Sequence, residues 1–231
     1  MGKKHYDQTI QRFGMGRNTF RAANKRLKKF RKANAYGLLL LGGTLIGLGA
    51  AMAINSNTGA GPSDVLLTGL ADTFNLPLAV IGYCWVAFIY SVIIVIRGNL
   101  RIATFVMSIT IATTLPTFVE IMPEADNYAG GLLYCAVGIL AMGFGVVIGA
   151  SGGLGRGSYE VVAERISQLT GIKERNVRLA FENTTLIAGI ALGGEFGAGT
   201  VMLAMTIGPL IDVLTEGYAA ALDVRRAKDV G

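Results

Sequence analysis

Residues 55–74, NSNTGAGPSDVLLTGLADTF, and residues 151–170, SGGLGRGSYEVVAERISQLT, decide how this chain is built. Each follows an apolar run close to the roughly 20 residues that cross a bilayer as helix. Each then breaks on glycines and resumes as a helix-like stretch, 63–74 or 159–170, too short to cross. The two segments are also copies. A shift of 96 residues lays Gly42, Gly47, Gly49, Gly59 and Gly61 on Gly138, Gly143, Gly145, Gly155 and Gly157. It also lays Asp64-Val65 on Glu160-Val161, Gly98 on Gly194, Thr104 on Thr200 and Thr110-Ile111 on Thr206-Ile207. Glycine-rich membrane chains give chance matches, but one ungapped register over some 70 positions marks an internal duplication.

Outward from these segments, apolar runs predict spans at 36–54, 77–97, 102–121, 129–150, 177–193 and 198–216. The composition agrees: 52% of residues are hydrophobic, 16% charged, and mean hydropathy is +0.51. A soluble domain is nearer a quarter charged. The expected fold is all-α and polytopic, with six transmembrane helices in two three-helix repeats, each with a short broken or re-entrant helix. The parts are a basic tail (1–35), two membrane repeats (36–121 and 129–217) and a short tail (218–231). Three crossings per repeat is an odd number, so the second repeat must enter from the opposite side. Charge points the same way. Loop 55–76 has no Lys or Arg, whereas 151–176 carries Arg156, Arg165, Lys173 and Arg175. In the second paired turn the bias reverses, Arg97 and Arg101 standing against Glu195. This is the pattern of an inverted-topology repeat, recurrent in secondary transporters.

Eleven of the 21 Lys and Arg residues fall in the first 32 positions, against one acid, Asp7. On a helix over 17–34, Phe20, Leu27 and Phe30 share an apolar face. We read it as a cationic helix on anionic lipid headgroups rather than a nucleic-acid arm, because positive charge beside a first span marks a cytoplasmic end. The expected location is a bacterial inner membrane with both termini cytoplasmic. The basic run is too long for a cleavable signal peptide.

Irregular backbone at membrane depth is tolerated only where protein or water satisfies it, so the glycine breaks are candidate sites. Ser63 and Ser158 are placed to cap the short helices, with Asp64 and Glu160 in their first turns, complementing the helix dipole or contacting a substrate or ion. Glu182 lies inside the expected fifth span, followed by Asn183, Thr184 and Thr185. An ionisable group there is a functional-site hypothesis, against which stands a structural pair with Arg178. Asp212, near the helix-breaking Pro209, has the same ambiguity. Thr110, Thr113, Thr114 and Thr117 form a hydroxyl stripe that lines a cavity or bonds its own helix. Gly43/Gly47, Gly145/Gly149 and Gly189/Gly193 are spaced for helix packing. Cys84 and Cys135 read as buried thiols. The single histidine, His5, lies in the tail, which removes histidine-based catalysis or metal binding from the membrane. Gly152–Gly157 lacks the strand and the GKS/T ending of a phosphate loop.

The G-x-G-x-x-D/E-V loop, the short helix, the RGNL and GGEFGAGT turns and the IGPLID ending resemble the YczE/YyaS/YitT family of bacterial membrane proteins over about residues 36–218. The family's first loop commonly reads LGxxPWDV. Here Pro62, Asp64 and Val65 are kept and Ser63 replaces the aromatic residue. The resemblance implies a polytopic membrane protein of a kind usually described as transporters. The expected function is secondary transport or export of a small molecule, with Asp64, Glu160, Glu182, Asn183 and Asp212 as substrate or ion contacts. No cofactor, metal, nucleic acid or enzymatic activity is expected, and a homo-oligomer is left open. The runner-up is a non-transporting membrane partner that stabilises another complex.

Overall fold

A computed structural model describes residues 32–151 and 157–228, the side chains of 35–151 and 157–218 among them. Residues 17–31 of the basic helix expected over 17–34 and most of the loop around Gly155 lie outside the described residues, while 32–34 begin α1. The described residues form eight helices and no strand: α1 Lys32–Asn55, α2 Pro62–Phe74, α3 Leu78–Val95, α4 Ile102–Ile121, α5 Tyr128–Ser151, α6 Ser158–Thr170, α7 Glu174–Ala191 and α8 Ala198–Lys228. α1, α3, α4, α5 and α8 are long and apolar enough to cross a membrane. Their outer faces expose large apolar side chains such as Leu40, Phe88, Val95, Leu133 and Met205. That is what a lipid solvent permits and water penalises. α7 covers the expected fifth span but does not qualify. It begins at Glu174 and also carries Arg175, Arg178 and Glu182, so the helix is amphipathic rather than apolar throughout.

α1 and α5 form the centre, and glycine makes their contact. A Cβ on Gly42 would lie 2.6 Å from the Gly145 carbonyl oxygen, and one on Gly138 2.6 Å from that of Gly49. The early part of α1 thus meets the later part of α5, and the later part of α1 the early part of α5. The two helices run antiparallel at backbone contact. α4 covers α1 where Gly43 and Gly47 face Thr110 and Thr114, and α8 covers α5 where Gly143 faces Leu210 and Leu214. These contacts obey the sequence repeat: adding 96 turns Gly47–Thr114 into Gly143–Leu210. The short helices cross over between the halves. α2 packs mainly on α7 of the other half, and α6 touches α3 of the other half while packing more closely on α7 of its own. Cys135, Ile139 and Met142 of α5 join Ala50, Ala53, Leu115 and Leu203 in one core cluster.

Several local expectations change. Pro209 does not break its helix, because α8 runs unbroken from Ala198 to Lys228. One proline removes one backbone donor, which the turns on either side can carry. Gly193 packs against nothing. It takes φ 86° in the turn after α7, while Gly189 and Gly194 bring the α7 end against Val65 and Leu66. The threonine stripe of α4 bonds its own helix: each hydroxyl donates to the carbonyl four residues back, at 2.7–2.8 Å. Cys135 is buried but Cys84 is exposed, and both are free thiols.

Candidate functional site

The first glycine break is a satisfied, buried loop. Asn55, Ser56, Thr58 and Ala60 are buried, and Gly59 takes φ 105° against Gly197 and Thr200. Asn55 Nδ2 donates to the carbonyls of Val119 and Met122 at 3.0 and 2.9 Å, closing the end of α4. The Thr58 carbonyl accepts from Gly199 N–H at 2.8 Å, tying the loop to the start of α8. The broken backbone is therefore housed in protein.

The loop delivers the chain to α2. Here the expected serine caps give way to a different device. Gly61 and Gly157 are the N-cap residues of α2 and α6, with no side-chain cap from Ser63 or Ser158. Instead the acid three residues on folds back. The Asp64 carboxylate accepts a hydrogen bond from Gly61 N–H. A Cβ on Gly61 would lie 2.8 Å from Asp64 Oδ2, and one on Gly157 would strike Glu160 Oε2. This is the acidic half of a capping box, in which the carboxylate at the third helical position serves the N–H of the cap residue.

The first turns of the two short helices meet. The Ser63 side chain is within hydrogen-bonding reach of the Tyr159 hydroxyl, and Asp64 and Glu160 both stand within electrostatic range of it. Trp85 Nε1 donates to the same hydroxyl at 2.6 Å. Phe181 packs on Tyr159 with ring centroids 5.4 Å apart and on Trp85 at 6.3 Å, and Phe88 stacks on Trp85. Ser63 and Tyr159 are equivalent positions of the repeat, and so are Trp85 and Phe181. The cluster sits where each half meets its own image.

Beside it α6 and α7 enclose a cavity of about 370 Å³, lined among others by Ser63, Tyr159, Glu160, Arg178, Phe181 and Glu182. Arg178 joins its two acids. Its Nε donates to Glu182 Oε1 at 2.8 Å, and its Nη1 lies 3.8 Å from Glu160 Oε1. The pairing weighed for Glu182 is thus present, and Glu160 shares it. Asp64 stands next to the cavity, one residue from Ser63. Asn183 is exposed on α7 outside the lining, and Asp212 of α8 is partly exposed and does not line the cavity either. Sequence reading missed Tyr159, Trp85 and Phe181, although the shift of 96 pairs Phe181 with Trp85 and places Tyr159 opposite Ser63. Among the described residues no group of three His, Cys, Asp or Glu side chains is arranged to hold a metal ion.

Residues 33–216 match a family described as a family of unknown function, DUF6198. The chain belongs to that family. It is 27% identical over 179 residues to an uncharacterized protein of Haemophilus influenzae, an overlap of 75% of this chain and 80% of that one. It is 29% identical over 111 residues to the uncharacterized membrane protein YczE of Bacillus subtilis, covering 48% of this chain and 52% of that one. The YczE-like character expected from the loop motif therefore holds, and the chain is a membrane protein. No solved structure matches it.

Proposed function

We propose that this protein is a secondary transporter of a small molecule, with two inverted three-span repeats in the bacterial inner membrane and both termini in the cytoplasm. One observation carries the reading: the first turns of two broken helices, one from each repeat, converge beside a cavity holding Glu160, Arg178 and Glu182. Secondary transporters build central sites from discontinuous helices at the interface between repeats. The antiparallel α1–α5 contact and the crossed packing of α2 on α7 and α6 on α3 support inversion. In this reading α7 is the sixth crossing. Its low apolarity has a cause, since one face lines the cavity with Arg178 and Glu182. The glycine faces of α1 and α5, which a partner-stabilising protein could use for docking, are occupied inside the chain.

Uptake of radiolabelled solutes by class into proteoliposomes, with and without a proton gradient, tests the proposal. Accumulation that needs the protein and dissipates with the gradient is the expected result. Absence of protein-dependent flux for every class, in a preparation that remains folded, would sink it.

A further inference from the structure

We propose that the cavity between α6 and α7 binds a small organic cation, of the quaternary or tertiary ammonium class. The inference rests on reading this cavity as the substrate site, and adds what the site selects. Charge comes first. Glu160 and Glu182 share one guanidinium, Arg178, and Glu174 lies within electrostatic range of it as well. Among the described lining residues two acids, Glu160 and Glu182, stand against one cation, Arg178. A positively charged guest loses hydration on entry and regains it from these carboxylates. An anion would lose hydration and meet repulsion.

The second observation is the aromatic corner. Tyr159 and Phe181 both line the cavity, their rings inclined at 44° with centroids 5.4 Å apart. The Trp85 hydrogen bond to its hydroxyl fixes the Tyr159 ring, and Trp85 itself backs Phe181. Ring faces attract a cation through their quadrupole. Trp85 N–H is committed to Tyr159, Arg178 Nε to Glu182, and the Thr184 hydroxyl to the Ala180 carbonyl at 2.7 Å. A cavity of about 370 Å³ falls at the small end of the range for ligand pockets.

The test is equilibrium binding of radiolabelled choline to the purified full-length protein in nanodiscs. Competitors are its uncharged tert-butyl isostere (carbon in place of nitrogen), glycine betaine and benzoate. Choline should bind, and the neutral isostere should compete at least about tenfold more weakly, since it keeps the shape and loses the cation–π and ionic attraction. Glu182→Gln and Tyr159→Leu should each weaken choline binding, while Tyr159→Phe, which keeps the ring, should retain it. Equal competition by the isostere, tighter binding of betaine or benzoate, or no choline binding by folded protein would each overturn the proposal. Choline binding by folded protein that carries no solute of any class would leave this site standing and remove the transport reading. Protein-dependent uptake of an anion without cation binding would do the reverse.

Discussion

Arg178 holds two carboxylates, and that makes the three members of the cluster unequal. Removing Glu182 leaves the guanidinium with Glu160, and removing Glu160 leaves it with Glu182. Removing Arg178 leaves two carboxylates facing each other across a cavity. The Arg178 side chain is 46% exposed, so each pair is worth at most about 1 kcal/mol where water reaches it. Glu182→Gln should therefore shift thermal unfolding in detergent very little, and Arg178→Gln should lower it more than either acid-to-amide change. Equal losses for all three, or a large loss at Glu182 rescued by Arg178→Gln, would show a closed two-residue pair instead. At this scale the sequence was half legible. Asp64 and Glu160 were visible as equivalent acids, because the repeat aligns them. Their role in folding back on Gly61 and Gly157 was not, because serines beside the break offered a more familiar cap. The spacing of glycine and acid, three residues apart in both copies, carried the signal.

Among the elements, α1 and α5 depend on bare backbone. A Cβ on Gly42 would stand 2.6 Å from the Gly145 carbonyl oxygen, and one on Gly145 2.7 Å from that of Gly42. Main chain cannot yield as a side-chain tip can, so overpacking there should cost about 1–3 kcal/mol per substitution. Gly42→Ala and Gly145→Ala should each lower the melting temperature and the yield of monodisperse protein. Gly208→Ala, in α8 with nothing within 4 Å, should be neutral or stabilising, since alanine favours helix by up to about 1 kcal/mol. Matching losses at all three positions would show that helix propensity, not the crossing, sets the effect. The apolar helices were readable with ends within a few residues, except that α8 runs on to Lys228, well past the 216 at which hydropathy stops. α7 was read as 177–193 because hydropathy trims charged ends. Its true start at Glu174 follows amphipathicity instead, with Arg178 and Glu182 on the face that meets α6.

For the whole molecule, the inverted arrangement has a direct test at equivalent exposed positions. Asn99 and Glu195 occupy the same place in the two repeats, in the turns before α4 and α8, and both are exposed. Single cysteines there, in a background without Cys84 and Cys135, should react with an impermeant thiol reagent from opposite faces of sealed vesicles. Reaction from one face alone would end the inverted reading. Replacing the basic residues from Arg17 to Lys32 by Gln should weaken association with anionic vesicles, at about 1 kcal/mol per charge near the surface. Salt-resistant RNA binding by the tail, lost on the same change, would assign it to nucleic acid.

The crossing of α1 with α5 also bears on how the chain is made. Equivalent points of the two helices are 96 residues apart, Gly42 to Gly138. At about 5–20 residues per second of synthesis, α1 waits on the order of 5–20 s before its partner leaves the ribosome. During that interval the face of α1 bearing Gly42 and Gly49, which α5 will cover, has only lipid or the insertion machinery to lie against. α2 meanwhile has no α7 to pack on. Neither repeat can mature alone, and a chain arrested before α5 should be a substrate for membrane quality-control proteases.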